Sequence, residues 1–289
     1  MVASTPVSDP GGSGAAAPAR AHNLALRIVS AAILAPLAIG AAYAGSWPFA
    51  LFWIMAAAAV LWEWIALVAG ARYRLMFSSG LIALAICALV VDRGRPLTAL
   101  MVLGLGALAA AIFAPRSRRL WVIGGIFYAG VLLLAPLLLR HRQADGFLAI
   151  LFLFAVVWTT DVLGYFGGRL FGGPKLLPAV SPNKTWSGAV IGTLGAMAVV
   201  AAGAHAAGDY SVAAITIVAF VLSIAAQIGD LMESRIKRVF GAKDASQLIP
   251  GHGGVMDRLD GFWAAALIGF LIGFSRGGFA DAARGLLAW

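Results

Sequence analysis

Residues 250–274 read PGHGGVMDRLDG-FWAAALIGFLIGF. The second half, Phe262 to Phe274, is an apolar run suited to lipid. The first half crowds glycines, one histidine, Asp257, Arg258 and Asp260 against the edge of that run. A lipid-buried backbone must satisfy its own hydrogen bonds, so the apolar run is expected to be a transmembrane helix. The charged segment then sits at a membrane boundary.

The remainder of the chain repeats this pattern. Of 289 residues, 62% are apolar and only 11% are charged, against roughly 25% charged in a soluble domain. No soluble fold has enough interior for such a composition. Long apolar runs fall near 24–44, 48–69, 75–91, 97–113, 120–139, 146–166, 188–207, 211–229 and 261–279, each close to the roughly 20 residues that cross a bilayer. The expected class is an all-α polytopic membrane protein of about nine helices. Residues 1–22, rich in Ala, Gly, Pro and Ser, are expected to be a disordered extension rather than a signal peptide. Residues 23–289 then form a single membrane domain, with a catalytic region over 161–261. The one cysteine, Cys87, excludes an internal disulfide.

The net charge of +9 does not call for nucleic acid, because Lys and Arg lie in short loops between spans. If the helices alternate, most of these cations fall on one side. They are Arg20, Arg27, Arg72, Arg74, Arg116, Arg118, Arg119, Arg169, Lys175, Lys184, Arg235, Lys237, Arg238, Lys243 and Arg258. The positive-inside rule makes that side cytoplasmic, along with the N-terminus. The two longest loops, 167–187 and 230–260, share this face.

Both loops carry unusual residues. Asp230 ends the eighth apolar run, and Asp257 and Asp260 precede the ninth at a spacing that puts both on one helix face. Three carboxylates meeting at one interface repel unless a cation joins them. Mg²⁺ suits such a set, being a hard cation that takes one or two carboxylates and recruits phosphates. Zinc suits it less, with one histidine and no cysteine nearby. Gly251, Gly253 and Gly254 permit close backbone approach, and their amides can cradle an anion beside the helix start. His252 in that loop points to a phosphate or substrate contact. Met232, Ile236, Val239 and Phe240 are spaced as an amphipathic helix lying in the interface plane, with its basic residues toward lipid headgroups or substrate phosphates.

In the other loop, Asp161 lies within the sixth span, where an acid is costly and usually functional. It shares a helix face with Tyr165. The segment Ser181-Pro-Asn183-Lys184-Thr supplies hydroxyl, amide and ammonium groups suited to phosphate, although it lacks P-loop spacing. Glu63, in the second span, reads as a structural partner for an arginine.

The run from Ser234 to Asp260, SRIKRVFGAKDASQLIPGHGGVMDRLD, resembles the signature of the CDP-diacylglycerol synthase (phosphatidate cytidylyltransferase) family. Gly229-Asp230-Leu-Met-Glu233 and Ser181-Pro-Asn-Lys184-Thr are similar to that family as well. The resemblance implies that CTP and phosphatidic acid give CDP-diacylglycerol and pyrophosphate at the cytoplasmic face of a bacterial-type inner membrane. It implies a divalent metal, Mg²⁺ or Mn²⁺, with a second cation site for K⁺, and membrane lipids as surroundings. Oligomeric state stays open, a homodimer being one arrangement. By position, Asp230, Asp257 and Asp260 match the metal acids. Asp257, Lys184, Arg258 and His252 match catalytic positions. Ser181, Asn183, Lys237, Arg238, Lys243, Gly253, Gly254 and Asp161 match substrate-binding ones. Ser187 departs from the pattern, since the family carries Glu there.

The chemistry suits these residues. A phosphomonoester oxygen is already anionic at neutral pH, so the difficulty is bringing two anions together, which cations relieve. Two alternatives predict other patterns. A CDP-alcohol phosphatidyltransferase would carry Asp-Gly-x-x-Ala-Arg with a later Asp-x-x-x-Asp. A cation-coupled transporter would place its acids near the bilayer midplane.

Overall fold

The computed structural model describes residues 16–68, 73–140, 145–249 and 253–289. Helices dominate: α1 (Ala16–Ala44), α2 (Ser46–Val68), α3 (Tyr73–Asp92), α4 (Pro96–Phe113), α5 (Arg119–Arg140), α6 (Gly146–Phe171), α7 (Trp186–Ala207), α8 (Val212–Val239), α9 (Met256–Gly277) and the short α10 (Ala282–Leu287). A 3₁₀ turn at Arg116–Arg118 leads into α5. Among the described residues, eight helices are long and apolar enough to cross a membrane, and Val29–Ala44 of α1 is a shorter apolar stretch. The chain is a polytopic helical membrane protein.

α1 begins at Ala16, inside the segment read as an extension, and residues 1–15 lie outside the described residues. The loop at 172–185 is a small antiparallel hairpin, β1 (Lys175–Leu177) and β2 (Ser181–Thr185), with Lys175 opposite Thr185. Its second strand runs directly into α7, where Thr185 caps the helix by accepting from the Gly188 amide at 3.1 Å. Ser187 donates to the carbonyl of Gly172, which ends α6 in a left-handed turn with φ +60. One hydroxyl thus ties the two ends of the hairpin together.

The sequence reading ends the eighth span at Asp230 and lays the segment from Met232 to Phe240 in the interface plane. α8 instead continues without a break to Val239. Of the expected apolar face, Met232, Ile236 and Phe240 pack partly buried against the protein core, while Val239 is exposed. The physical reason lies beside them, where Glu233 and Lys237, one turn apart, form an ion pair at 2.7 Å that stays inside the bundle.

Close helix approach is made by glycines. A Cβ on Gly188 would stand 2.6 Å from the carbonyl oxygen of Gly164, and one on Gly192 would stand 2.5 Å from that of Thr160. α6 and α7 are therefore in backbone contact. Where α8 crosses α9, a Cβ on Gly229 would meet the carbonyl oxygen of Asp260 at 2.5 Å. Polar side chains join α6, α7 and α8 deeper in the bundle. The Ser223 hydroxyl lies 2.8 Å from that of Thr160 and 3.0 Å from that of Thr193. Gln227 donates to Thr193 at 2.9 Å. Such bonds are favoured where no water competes.

The helix ends sort into two groups by contact. The end of α2, the start of α5, the hairpin and the loop before α9 meet through Trp64–Trp121, Trp121–Phe240 and Lys184–Asp230. At the opposite end, Arg140 donates to the Ala42 carbonyl at 2.7 Å, and Arg276 stacks over Trp289.

Candidate functional site

The α8–α9 crossing sets the geometry. Gly229 removes the side chain that would hold the helices apart, and the next residue, Asp230, is thereby carried beside Asp260. Asp260 lies within electrostatic reach of Asp230, Glu233 and Asp161. Asp161, from α6, in turn feels Asp230, Lys184 and Arg258. Acids from α6, α8 and α9 thus converge with cations from the hairpin and from α9. Lys184, on β2, forms an ion pair with Asp230, and the Ser234 hydroxyl approaches the other oxygen of that aspartate at 3.4 Å. Asp260 accepts from the Gly261 amide at 2.7 Å.

A second layer lies alongside. Lys237 is buried between Glu233, at 2.7 Å, and Asp257, at 2.5 Å. Asp257 also accepts from the amides of Gly254, at 2.8 Å, and Ala245, at 3.1 Å. The two aspartates at the start of α9 share a face, as their spacing requires, but have different partners. Asp260 accepts from the Gly261 amide and lies within electrostatic reach of Asp230, whereas both oxygens of Asp257 are bonded within the protein. Glu233 is fully buried, and the sequence reading passed over it. Its spacing of four from Lys237 was the available signal.

Among the described residues, no three acids, histidines or cysteines form a ready-made metal cage. The donor chemistry still fits a magnesium-like ion, which needs only one or two carboxylates and completes its shell with water and phosphate oxygens. Asp230 and Asp260 offer such a pair, their like charges offset in part by Lys184.

The remaining expected residues divide clearly. Arg258 is exposed on α9, within electrostatic reach of Asp161. Arg238 and Lys243 are exposed, Arg238 donating to the Ala242 carbonyl at 3.1 Å. Asn183 is exposed on β2 beside half-buried Ser181. Lys237, expected on substrate phosphate, is instead engaged by two carboxylates of its own chain. Tyr165 does not pair with Asp161 but accepts from Arg169 at 3.0 Å. His252 lies outside the described residues.

Of the anion cradle expected from the glycines, Gly251 lies outside the described residues, and the described amides are engaged by the protein itself. Gly253, at φ +87, exchanges backbone bonds with Ile249 at 2.9 and 3.1 Å. The Gly254 amide goes to Asp257. The next two amides, of Val255 and Met256, go to Glu63 at 2.8 and 2.7 Å. The sequence reading gave Glu63 an arginine partner. Its described partners are these amides and the Ser246 hydroxyl at 2.5 Å. A buried acid in an apolar span was the only sign available, and it did not name the partner.

Comparison with known proteins gives a consistent picture. Residues 25–275 match the cytidylyltransferase family. A phosphatidate cytidylyltransferase from Brucella abortus biovar 1 (strain 9-941) is 45% identical over 258 residues, covering 87% of this chain and 93% of the relative. The protein of the same name from Brucella melitensis biotype 1 matches over the same extent with 45% identity. That from Haemophilus influenzae is 39% identical over 176 residues, covering 55% of this chain and 61% of its own length. With the match running from α1 into α9, this chain is a member of the cytidylyltransferase family.

Proposed function

We infer that the protein is a phosphatidate cytidylyltransferase. It transfers the cytidylyl group of CTP to phosphatidic acid, giving CDP-diacylglycerol and pyrophosphate. In this reaction a phosphate oxygen of the lipid attacks the α-phosphorus of CTP. The new P–O bond forms as the bond to the β-phosphate oxygen breaks, and pyrophosphate carries away the electron pair. The relatives' shared name supports the substrates. The observation that carries the reading at this site is the close α8–α9 crossing at Gly229, which brings Asp230 within electrostatic reach of Asp260, with Lys184 against Asp230.

Asp230 and Asp260 are the residues proposed to hold a divalent cation, Mg²⁺ or Mn²⁺. When bound, that ion supplies positive charge to phosphate oxygens. Asp257 joins this set only if Lys237 leaves it. In the arrangement described, it holds Lys237 and the loop before α9. Lys184 and Arg258 are assigned to the phosphates of CTP and of the leaving group, where fixed cations stabilise developing charge. Ser181, Asn183, Arg238 and Lys243 rim the same end of the bundle and are assigned to substrate phosphates and headgroups. Asp161 limits where a third anion can sit. The catalytic region of 161–261 belongs to one membrane domain that also uses the end of α2.

The lipid substrate lies in the bilayer and CTP in water, so a site at a helix-end boundary can be reached by both. The concentration of Lys and Arg at that end supports a cytoplasmic site in an inner membrane. A cysteine substituted for Asn183 tests this. In intact spheroplasts, a membrane-impermeant maleimide is expected to miss Asn183→Cys and to label it after lysis, with buried Cys87 silent. Labelling before lysis would reverse the orientation.

The deciding experiment gives membranes carrying the protein labelled CTP and phosphatidic acid. Label is expected in the organic phase, with one pyrophosphate released per labelled lipid. Pyrophosphate without labelled lipid, or solute uptake without either, would overturn the assignment.

A further inference from the structure

We propose that Glu63, on α2 and outside the signature segment, is a positioning residue for this reaction: its carboxylate is the cap that fixes the start of α9, and with it Asp257 and Asp260. The inference rests on the proposed reaction for its kinetic part and on geometry alone for the rest.

The start of a helix leaves amides without partners and carries positive potential. α9 has no side-chain cap of its own at Val255. Glu63 supplies one from another helix. One oxygen accepts from the Val255 amide at 2.8 Å and from the Ser246 hydroxyl at 2.5 Å, and the other accepts from the Met256 amide at 2.7 Å. The carboxylate is fully buried. The chain opposite is shaped to admit it, since a Cβ on Gly254 would stand 2.8 and 2.9 Å from its two oxygens. Gly254 is therefore required by an acid nearly two hundred residues earlier, rather than by a ligand phosphate.

The neighbouring residue extends the tie. Trp64 donates its indole N–H to the Trp121 carbonyl at 2.8 Å, in space left by Gly125. Trp121 packs edge-on against Phe240 at 4.9 Å, where α8 ends. Two consecutive residues of α2 thus fasten the start of α9 and the start of α5, and α5 in turn fastens the end of α8. The carboxylates of α8 and α9 are held in register by a helix that bears none of the acids or cations assigned to the reaction. Glu63 also occupies the anion position at the start of α9, leaving substrate phosphates to the Lys184 side.

The test compares wild type, Glu63→Gln, Ser246→Ala and the double variant as monodisperse protein in mixed micelles of detergent and phosphatidic acid. Glu63→Gln keeps size but turns an amide donor toward backbone donors. Its kcat per folded molecule is expected to fall about 10- to 100-fold, the cost of misplaced reacting groups. The Mg²⁺ concentration for half-maximal rate is expected to rise, while KM for phosphatidic acid stays within about twofold. Ser246→Ala is expected to change kcat in the same sense by less, and to add little to Glu63→Gln, because both remove a shared bond. Hydrogen exchange over residues 253–260 is the readout that needs no turnover, and Glu63→Gln is expected to speed it. Unchanged exchange would overturn the proposal. So would a kcat loss explained wholly by lost folded protein. An inactive wild type would count against the reaction, leaving the cap to be judged by exchange alone.

Discussion

Lys237 stands 2.5 Å from Asp257 and 2.7 Å from Glu233, so one buried ammonium, paired with a carboxylate of its own helix, joins α8 to α9 through Asp257. Although Lys237 belongs to a basic run, its surroundings are those of an internal ion pair rather than a surface lysine. Removing one partner from such a group leaves charge without compensation, which costs about 3–5 kcal/mol. Lys237→Met is expected to lower the unfolding midpoint in detergent, and Glu233→Gln in that background to recover part of the loss. A Lys237→Met protein that melts like wild type would show that the ammonium is not holding these helices.

Lys184 has a different task. It is half-exposed and pairs with Asp230 at the proposed CTP phosphate position. Lys184→Met is expected to reduce kcat by about 10²–10³, the scale on which one fixed charge-stabilising donor acts, with little change in thermal stability. Incorporation of labelled CTP at saturating lipid checks it. A change confined to KM would assign Lys184 to ground-state binding instead.

Metal removal should separate the two layers of acids. Chelation is expected to stop turnover, and Mg²⁺ or Mn²⁺ to restore it. The unfolding midpoint is expected to stay nearly constant, because Glu233 and Asp257 are held by Lys237 rather than by an ion. Asp260→Asn is expected to raise the Mg²⁺ concentration needed for half-maximal rate. Activity persisting in excess chelator would remove the cation from the proposal.

The helix crossing can be probed with one methyl group. Gly229→Ala places a Cβ 2.5 Å from the Asp260 carbonyl oxygen, and overpacking of this kind costs about 1–3 kcal/mol. It is expected to impair activity as well, by separating Asp230 from Asp260. Gly104→Ala, with nothing within 4 Å of the new atom, is the control. It is expected to be neutral or to stabilise α4 by up to about 1 kcal/mol. Equal behaviour of the two variants, judged by unfolding and by rate, would count against close packing at the crossing.

Much of this architecture was legible in the sequence, because hydrophobic length is a one-dimensional property. The apolar run from Phe262 marks α9, and the spacing of Asp257 and Asp260 fits a helix start at Met256, where α9 begins. The resemblance carried by Ser234–Asp260 led to the family. What the sequence hid was pairing. A lysine in a basic run looks like a phosphate ligand until Glu233 and Asp257 are seen around it. Glycines before a helix look like an anion cradle until Glu63 arrives from α2. Such partners are set by helix packing between segments far apart in the chain, and no local spacing encodes them. Residues 231–240 were misread for a related reason. An amphipathic pattern shows that a helix has an apolar side, but not whether lipid or protein meets it.

The backbone contact of α6 with α7 bears on how substrates enter. With carbonyls of one helix seated against glycines of the other, sliding the pair past each other would drive main-chain atoms together. The hairpin between them is clamped at both roots, by the Thr185 cap and by Ser187 on Gly172. Lys184 therefore stands on a hairpin tied to both flanking helices, and is expected to keep its place as substrate arrives. Facing solvent at the same end are Arg238, on the last turn of α8, and Lys243 and Gln247 just after it.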